Sequence, residues 1–306
     1  MRALKEMSTT TNLTLDEFSQ LCIPRLEKVY DFYLRDTPAL ALKNTMEYTL
    51  QNSGKRIRPL LIYATGRIFD APLENSDLPA CAVELIHTYS LIHDDLPCMD
   101  NADLRRGKPA CHKVYGEGMA VLAGDALHTL AMQIIASYPA PLKSQRRLDM
   151  IATLSAACGP FGMAAGQALD LSIMSDKNIS LDLLENIHRL KTGALLSACV
   201  ELGRLSSNDD DELHQQSLKQ FGDRIGLAFQ IQDDILDMEA NTELLGKPQG
   251  IDVKNSKCTY PLLYGLNQAK EKVQSLYHDA LDAINMFGHQ AQLLRELTGC
   301  LLQRKR

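Results

Sequence analysis

Two clusters of aspartates are the residues of this chain best suited to chemistry. The first contains Asp94, Asp95 and Asp100, and the second contains Asp233, Asp234 and Asp237. In the second cluster the outer carboxylates are one helical turn apart, where like charges repel unless a cation offsets them. Carboxylate oxygens suit Mg²⁺, which takes one or two of them and completes its shell with water and substrate phosphate. The clusters therefore predict magnesium sites that also bind phosphate.

The geometry of the first cluster depends on Pro97. Six positions along an ideal helix rotate a side chain by about 600°, so Asp94 and Asp100 would lie on different faces. Pro97 cannot continue the hydrogen-bond ladder, and a break there could swing Asp100 back. For the second cluster a solvated helix face is the alternative, because Gly226 and Gln230 extend the same polar stripe. The presence of two clusters favours metal binding, with the hypothesis that they face each other across a cavity.

Basic residues form three compact groups in this acidic chain. The groups are Lys55-Arg56-Ile57-Arg58, Arg105-Arg106-Gly107-Lys108, and the pair Lys247 and Lys257. Arginine binds phosphate through parallel hydrogen bonds and lysine supplies a point charge. With the aspartates they imply a ligand such as one diphosphate or two, although any single group taken alone is better explained as solubilising surface. The sequence has neither a Walker A loop nor a GxGxxG motif, which argues against nucleotides.

Lys191-Thr192-Gly193 precedes an apolar helical stretch. A lysine that enters such a region is costly without a partner, and a bound diphosphate would stabilise it. Thr192 could then offer oxygen near a reacting centre. A lysine at the helix rim, with its stem along the apolar surface, explains the segment equally well.

Helices must position these residues. Apolar residues recur at intervals of three and four over Ala41–Asn52, Leu78–Leu96, Gly118–Ser137, Leu148–Met174, Leu181–Ser206 and Asp211–Met238. Breaks are predicted at Asp70–Pro72, Asn75–Asp77, Pro139–Pro141, Ser175–Ser180 and Ser207–Asp211, with Ser180 as an N-cap. Alternating β-branched runs are nearly absent, so we predict one all-α domain of about ten helices. The Gly-, Pro- and Lys-rich stretch Leu245–Pro261 is predicted to be a functional loop.

The composition limits the partners. The chain has 306 residues, 45% of them hydrophobic and 23% charged, with a net charge of −6 and no tryptophan. Without a basic excess we expect no nucleic-acid binding. We expect no membrane span, because no apolar run is long enough, and no signal peptide, because the N-terminus lacks a hydrophobic stretch. Eight cysteines without a CxxC pair are typical of reduced thiols, so the predicted location is cytoplasmic.

Five segments, in this order and spacing, resemble the trans-isoprenyl diphosphate synthases. They are GKRIRP, HDDLPCMDNADLRRGKPACH, KTG, FQIQDDILD and GKPQGIDVKNSKCTYP. The resemblance extends from about Tyr30 to the basic tail Arg304-Lys305-Arg306, and the first aspartate motif is similar to that of bacterial farnesyl and plastid-type geranylgeranyl enzymes. It implies a single-domain, all-α helical bundle over residues 1–306 around a deep central cavity, and a homodimer.

The resemblance also implies roles for the residues. Asp94, Asp95, Asp100, Asp233, Asp234 and Asp237 would hold Mg²⁺, with three ions per active site. Arg105, Lys191, Lys247 and Lys257 would contact the allylic diphosphate, whereas Lys55, Arg58, His87 and Arg106 would bind isopentenyl diphosphate. Lys191, Thr192 and Gln230 would lie near the allylic carbon and stabilise its cation. A lone helical histidine is more often packed or solvated, so His87 is included only by its place in the motif.

The implied reaction is a head-to-tail condensation. Mg²⁺ and cationic side chains would stabilise the departing diphosphate, and the isopentenyl double bond would attack the allylic cation. Tyr89, about 7.5 Å along the helix axis from Asp94, is the predicted floor of the product cavity, with the small Ser90 beside it. A bulky aromatic there implies farnesyl diphosphate, with geranylgeranyl diphosphate as the alternative. An ideal helix turns Tyr89 about 140° from Asp94, so core packing is a second explanation.

Two other classes are compatible with parts of this pattern. A class I terpene cyclase shares the ionisation chemistry and the α fold, but it would leave Lys55, Arg58 and Arg106 without a ligand. A non-catalytic subunit of a heteromeric synthase would have no reason to carry repelling carboxylates. Both predict a different outcome when substrates are supplied.

Overall fold

The computed structural model describes residues 13–52, 54–173, 179–245 and 258–302, most of which are helical. The α-helices are α1 (Leu15–Leu34), α2 (Leu40–Gln51), α3 (Ile57–Ile68), α4 (Leu73–Asp94), α5 (Cys111–Tyr115), α6 (Glu117–Ser137), α7 (Ser144–Cys158), α8 (Met163–Ser172), α9 (Leu181–His188), α10 (Ala194–Leu205), α11 (Glu212–Leu245), α12 (Tyr260–Tyr264), α13 (Leu266–Ala283) and α14 (Gln292–Leu302). A π-helical turn (Arg189–Gly193) joins α9 to α10, and a 3₁₀ segment (Asn285–Ala291) precedes α14. The predicted all-α fold is confirmed.

A short antiparallel hairpin accompanies the helices. Its strands are β1 (Leu104–Arg105) and β2 (Lys108–Pro109), and Arg105 lies opposite Lys108. The turn residues Arg106 and Gly107 both have positive φ, 52° and 77°. Two successive left-handed residues are what a tight two-residue hairpin requires.

Helix α4 lies at the centre of the molecule. It packs against α1, α3, α6 and α10, and every residue from Asn75 to Ile86 is buried. A helix surrounded in this way is apolar on all sides, as the run Leu78–Ile86 largely is. Because the core fixes this helix, its C-terminal end presents His87, Tyr89 and Asp94 in defined directions.

The start of α4 differs from the prediction. The sequence predicts a break at Asn75–Asp77, but these residues are helical. The Asn75 side-chain amide donates to the Ser206 carbonyl at 3.0 Å. The Asp77 carboxylate accepts from Arg25 at 2.7 Å and from the Tyr63 hydroxyl at 2.6 Å. Polar residues favour a turn when they bond to their own backbone, and here buried partners on other elements take those bonds instead.

The stretch Leu148–Met174 is not one helix, as predicted, but is divided between α7 and α8. Pro160, in the break, lacks an amide hydrogen. Gly162 has non-helical dihedrals of −141° and −124°, and a Cβ there would lie 2.1 Å from the Ala157 carbonyl oxygen. The glycine therefore permits the turn, and α8 is a separate helix that packs against the π-helical turn.

The remaining bounds are close to those predicted. Ser180 is confirmed as an N-cap, because its hydroxyl accepts from the Leu183 amide at 3.2 Å. The helix predicted over Asp211–Met238 continues to Leu245. Tyr260 and Pro261 belong to α12 and not to the predicted loop. Residues 246–257 of that loop, and 174–178 of the predicted break before Ser180, lie outside the described residues.

Two stretches, 117–137 and 144–172, are long and apolar enough to cross a membrane by length and composition. Both stretches contain charged residues and are not uninterrupted apolar runs, so the expectation of no membrane span stays a prediction. The core helix of a globular protein passes the same test. The first stretch is α6, which packs against α4, and the second is interrupted between α7 and α8.

Replacing Asp77 with alanine is expected to lower the free energy of unfolding by about 3 kcal/mol, because the partly buried Arg25 charge loses its nearer partner and keeps the exposed Glu74, 3.7 Å away, while the buried Tyr63 hydroxyl loses its acceptor. Urea unfolding followed by far-UV circular dichroism would measure the change. The control is Lys219→Ala, which removes an exposed pair with Asp223 and should cost less than about 1 kcal/mol. Equal losses in the two variants would contradict a special contribution from the buried pair.

Candidate active site

The first aspartate cluster lies where α4 ends. The helix stops at Asp94, and the chain turns back so that the Asp100 amide donates to the Asp94 carbonyl oxygen at 2.8 Å. The predicted break at Pro97 is therefore present, and it returns Asp100 to Asp94. Burial raises the pKa of the Asp94 carboxyl. The Lys191 charge lowers this pKa, and the Asp100 charge raises it further. A bound cation would relieve both the burial and the repulsion.

Asp95 has different surroundings from Asp94. Its side chain is 2% exposed and is paired with the guanidinium of Arg105, whose Nε lies 3.1 Å from both carboxylate oxygens. This pair ties the β1–β2 hairpin to the end of α4. The sequence predicts Asp95 as a metal ligand and Arg105 as a diphosphate contact, whereas the structure pairs them with each other. Their ligand roles stay predictions.

Asp234 is the buried member of the second cluster. Its carboxylate accepts from the Tyr260 backbone amide at 2.9 Å and from the Gln230 side-chain amide at 3.4 Å, and His188 Nε2 lies 3.5 Å away. Burial raises the pKa of Asp234 to about 6, although the two hydrogen bonds lower it. Asp234 thus joins α9 and α12 to α11.

The other two members of this cluster lie nearer to solvent. Asp233 is half-buried and Asp237 is exposed on the same helix. The Asp237 charge contributes to the raised pKa of Asp234. Asp234 and Asp237 therefore repel each other, whereas the repulsion predicted between Asp233 and Asp237 stays a prediction.

An ion pair lies between the two clusters. Lys191 Nζ donates to the Asp170 carboxylate at 2.7 Å. The Lys191 charge lowers the pKa of Asp94, and the Asp170 charge raises that of Asp234. Each member of the pair therefore acts electrostatically on one cluster. This placement supports the hypothesis that the clusters face each other.

The carboxylates do not form a metal cage of their own. Among the residues that the structure describes, no group of three or more His, Cys, Asp or Glu side chains is close enough to hold a metal ion. Mg²⁺ needs only one or two carboxylates when phosphate and water complete its shell. The arrangement therefore fits Mg²⁺ shared between the protein and a phosphate ligand.

A cationic pocket surrounds His87, whose Nε2 lies 3.4 Å from the Arg106 guanidinium. Burial lowers the pKa of His87 well below its usual range, and the charges of Arg58, Arg106, Arg105 and Arg56 lower it further. Burial also lowers the pKa of Arg58 and of Arg106. The structure thus brings together Arg58, His87 and Arg106, as predicted, and an anion would stabilise them.

Lys55 and Arg56 are neighbours with different surroundings. Lys55 is exposed, whereas Arg56 pairs with the buried Glu84 at 2.7 Å and donates to the Leu50 carbonyl at 2.9 Å. Arg56 and Arg106 both have φ of 52°, a left-handed conformation that costs a non-glycine residue about 1–2 kcal/mol. The contacts of these two arginines hold the strained turns that border the cationic pocket.

The π-helical turn carries Lys191 and Thr192. The Thr192 hydroxyl donates to the Gln230 carbonyl oxygen at 2.8 Å, and the Gln230 amide in turn donates to Asp234. π-helical turns are rare in proteins, and those that occur are often at functional sites. Thr192 and Gln230, two of the three predicted catalytic residues, are thus joined by hydrogen bonds to Asp234 of the second cluster.

Two glycines let helices approach this turn at backbone distance. A Cβ at Gly166 of α8 would lie 2.2 Å from the Lys191 backbone nitrogen. A Cβ at Gly226 of α11 would lie 2.6 Å from the Gly193 Cα. The turn is therefore clamped between α8 and α11.

A cavity of about 420 Å³ adjoins Asp94, Lys191 and Thr192. Much of its wall is apolar, with contributions from Leu91, Met99, Met163, Ala164, Ala168, Leu171 and Leu195. This size and lining are typical of a site for an apolar ligand whose charged end is held by a few polar groups.

Tyr89 and Ser90 both line this cavity. The Tyr89 ring packs on His128 with centroids 5.0 Å apart and on His93 at 5.8 Å. The Ser90 hydroxyl donates to the His87 carbonyl at 2.9 Å. Tyr89 thus packs against two histidines and also lines the cavity, so the packing explanation and the floor hypothesis are compatible. Its role as the floor stays a prediction.

Some predicted residues are not tested, and others were missed. Lys247, Lys257 and Arg304–Arg306 lie outside the described residues. Sequence reasoning missed Asp170, Gln167 and Tyr260. The spacing of Gln167 and Asp170, polar residues three apart in an otherwise apolar stretch, is a signal that could have found the first two. Tyr260 is joined to Asp234 through its backbone amide, for which the sequence has no signal.

Comparisons with known proteins identify the family. The polyprenyl synthetase family matches residues 40–293 of the chain. The chain is 48% identical to farnesyl diphosphate synthase of Escherichia coli over 276 residues, 89% of this chain and 91% of the relative. It is 44% identical to a chloroplastic geranylgeranyl pyrophosphate synthase of Capsicum annuum, over 80% of this chain and 66% of the relative. A crystal structure of a geranyltransferase from Legionella pneumophila superposes with a TM-score of 0.85 at 36% identity, covering 95% of this chain and 98% of that one.

The chain belongs to the polyprenyl synthetase family. The resemblance to the trans-isoprenyl diphosphate synthases and the prediction of a prenyltransferase are confirmed. Enzymes of this family use a divalent metal, in agreement with the two aspartate clusters.

Gly226→Ala is expected to lower kcat at least tenfold, because the new methyl group must push the π-helical turn, with Lys191 and Thr192, away from α11. Such overpacking also destabilises by about 1–3 kcal/mol. Steady-state kinetics and thermal unfolding would measure the two effects. Gly118→Ala, where a Cβ meets nothing within 4 Å, is the matched control and should change neither. Full activity of Gly226→Ala would show that the clamp is not needed.

Proposed function

We propose that this enzyme condenses isopentenyl diphosphate with dimethylallyl diphosphate and then with geranyl diphosphate, head to tail, to give farnesyl diphosphate. The observation that carries the proposal is that one apolar cavity has two charged regions. Asp94 and Lys191 lie at one, and Arg58 and His87 lie at the other. Two regions suit two diphosphates, one for each substrate. A terpene cyclase, which ionises one diphosphate, would leave the second region without a ligand.

The metal in this proposal is Mg²⁺, three ions per active site. Asp94, Asp95 and Asp100 would hold it on the allylic diphosphate from one side, and Asp233 and Asp234, with Asp237 in support, would hold a further ion from the other. Bound ions would neutralise charge on the leaving group. The bonds of Asp234 to Gln230 and Tyr260 would meanwhile fix the helix that carries Asp233.

The side chains act on both products of ionisation. Lys191 and Arg105 would donate to the departing diphosphate, with Lys247 and Lys257 adding charge. The Thr192 hydroxyl donates its hydrogen bond to Gln230, so the lone pairs of its oxygen can stabilise the allylic cation. The isopentenyl double bond attacks that cation, and the proton then lost passes to the departing diphosphate. Lys55, Arg58, His87 and Arg106 would hold isopentenyl diphosphate throughout.

The product length follows from Tyr89. Its ring lines the cavity and is supported by His128 and His93, so a growing chain would meet a braced obstacle. Ser90 leaves room beside it. Farnesyl diphosphate is the product we favour, and geranylgeranyl diphosphate is the alternative because some relatives that match the chain make it.

We further propose that the chain is a single polyprenyl synthase domain that acts as a cytoplasmic homodimer. The outward side of α6 supports the dimer, because Val121 and Leu122 are 40% and 54% exposed. Phe161, between α7 and α8, is 83% exposed. Apolar surface of this kind is typical of a protein interface.

Incubation of the purified chain with Mg²⁺, labelled isopentenyl diphosphate and either allylic starter tests the function. After phosphatase treatment, labelled farnesol is expected, and chelation of Mg²⁺ should abolish it. Hydrocarbon from the allylic substrate alone would indicate a cyclase. No condensation with either starter would indicate a non-catalytic subunit.

Asp94→Asn is expected to lower kcat at least about 100-fold, because one electrostatic group at the leaving diphosphate is worth 10²–10³ in rate. The initial rate of condensation at saturating substrates would measure it. Asp103→Asn is the control, since that side chain is 81% exposed and pairs with Lys113 at the surface. Similar losses in both variants would contradict the assignment of Asp94.

Tyr89→Ala is expected to lengthen the product beyond fifteen carbons, because it removes the braced ring from the cavity wall. Thin-layer analysis of the dephosphorylated products would show longer alcohols. Leu171→Ala, on another part of the same wall, is the control for general loosening of the cavity. Unchanged chain length in Tyr89→Ala would eliminate Tyr89 as the floor.

A further inference from the structure

Tyr260 joins two helices through a buried hydroxyl group. The residue is 1% exposed and is the first residue of α12. Its hydroxyl donates to the Glu185 carboxylate of α9 at 3.0 Å. Burial and this hydrogen bond both raise the pKa of Tyr260, so the phenol keeps its proton and remains a donor at neutral pH. The side chain therefore ties the start of α12 to α9.

The backbone of the same residue holds Asp234. The Tyr260 amide donates to Asp234 Oδ2 at 2.9 Å, whereas the Gln230 side-chain amide donates to Oδ1 over a longer distance of 3.4 Å. An N–H···O bond of 2.9 Å has the usual length, and longer bonds are weaker. Oδ2 is therefore the better satisfied oxygen, and Oδ1 keeps more capacity to bind a cation. The Tyr260 amide thus orients the carboxylate.

The start of α12 has little else to fix it. The helix has five residues, and so short a helix is not stable by itself in water. Among the described residues, its N-cap Thr259 makes no capping hydrogen bond, and the buried Thr259 hydroxyl has no partner. Packing of the Tyr260 ring fixes how deeply the residue is buried. The bond from its hydroxyl to Glu185 fixes the direction of the residue, and with it the position of the amide that holds Asp234.

Glu185 has other partners besides Tyr260. Its carboxylate accepts from Arg189 of the π-helical turn at 3.3 Å and lies 3.6 Å from Lys272 of α13. Loss of the Tyr260 hydroxyl would therefore leave the Glu185 charge paired. A change at this hydroxyl acts on the position of Tyr260 and does not create an unpaired buried charge.

We propose that Tyr260 is a positioning residue for the second aspartate cluster. Its hydroxyl bond to Glu185 holds the backbone amide that orients Asp234, and in this way it sets how tightly the cluster binds Mg²⁺ together with a diphosphate. Removal of a group that orients a metal ligand typically lowers metal affinity about 10- to 100-fold. This inference rests on the proposed function, because it takes Asp234 as a metal ligand.

Tyr260→Phe tests the role of the hydroxyl, because it keeps the ring. The Mg²⁺ concentration for half-maximal binding of a non-hydrolysable geranyl diphosphate analogue, measured by calorimetry, should rise about tenfold. At saturating Mg²⁺, kcat should return to within about threefold of the wild-type value, since the ligands themselves are unchanged. In the free protein, amide hydrogen exchange over residues 259–264, measured by mass spectrometry, should become faster, because the start of α12 loses a contact.

Tyr63→Phe is the matched control for a structural effect. Tyr63 is also 1% exposed, and its hydroxyl donates to the Asp77 carboxylate. Each variant loses one buried hydroxyl–carboxylate bond, so the two thermal midpoints should fall by similar amounts, about 2 °C. Tyr63→Phe should leave the Mg²⁺ dependence of analogue binding unchanged. An equal rise in the required Mg²⁺ in both variants would show a general loss of stability and overturn the inference.

Two substitutions of Glu185 give a second test that does not depend on the folding of Tyr260→Phe. Glu185→Gln keeps an oxygen that can accept from Tyr260, whereas Glu185→Ala removes it. Both substitutions lose the charge that pairs with Arg189 and Lys272, so the difference between them isolates the acceptor. Glu185→Ala should repeat the tenfold rise in required Mg²⁺, and Glu185→Gln should remain close to wild type.

Wild-type Mg²⁺ dependence in Tyr260→Phe, or in Glu185→Ala, would overturn the inference and leave the proposed condensation intact. The failure of the proposed function would be visible in the wild-type chain alone. If that chain does not condense the substrates, or binds the analogue equally well without Mg²⁺, the proposed function fails and the inference fails with it.

Discussion

The repulsion between carboxylates is the constraint on which this site depends. Asp94 and Asp100 are brought together by the chain reversal at Pro97, and the buried Asp234 lies in the field of Asp237. Lys191 lowers the pKa of Asp94 and is also paired with Asp170. Burial still raises the pKa of Asp94 and of Asp234, so a cation at either carboxylate would be stabilising. A metal and a diphosphate bound together supply what each lacks alone, since the metal offsets the carboxylates and the phosphate completes the metal's shell.

The opposite imbalance exists a short distance away. Around His87 the arginines are crowded, and burial disfavours the charge of Arg58 and Arg106. Arg56 pairs with the Glu84 carboxylate, which offsets its positive charge. The cavity is therefore lined by the carboxylate of Asp94 in one region and by the crowded cations near His87 in another. Under the proposed function, such a site would distinguish a diphosphate that binds with metal from one that binds to the arginines.

Much of this could be predicted from the sequence, for reasons that differ between residues. Asp94, Asp233 and the arginines stand out because charged residues at helical spacing are rare next to apolar runs. The break at Pro97 follows from a missing amide hydrogen. By contrast, Asn75–Asp77 look like a turn in the sequence. Their hydrogen-bond partners Arg25, Tyr63 and Ser206 are far away in the chain, so the sequence does not show them.

The components of the site that were missed are non-local. Asp170 and Gln167 are placed at the site by the contact between α8 and the π-helical turn at Gly166. The π-helical turn itself cannot be recognised from periodicity, because Leu181–Ser206 reads as one regular apolar helix. The bond from the Tyr260 amide to Asp234 joins residues far apart in the chain through an atom that every residue but proline has.

The π-helical turn has a consequence for how this chain can vary. A π-helical turn closes i→i+5 hydrogen bonds and so contains one residue more than the α-helical turn that it replaces. Loss of a single residue between Arg189 and Gly193 would restore a regular α-helical turn and remove the bulge that presents Lys191 and Thr192. We therefore expect homologous chains to vary in residue type on either side of this turn and to keep the number of residues in it. The number of residues fixes the geometry of the turn, whereas the types of the flanking residues do not.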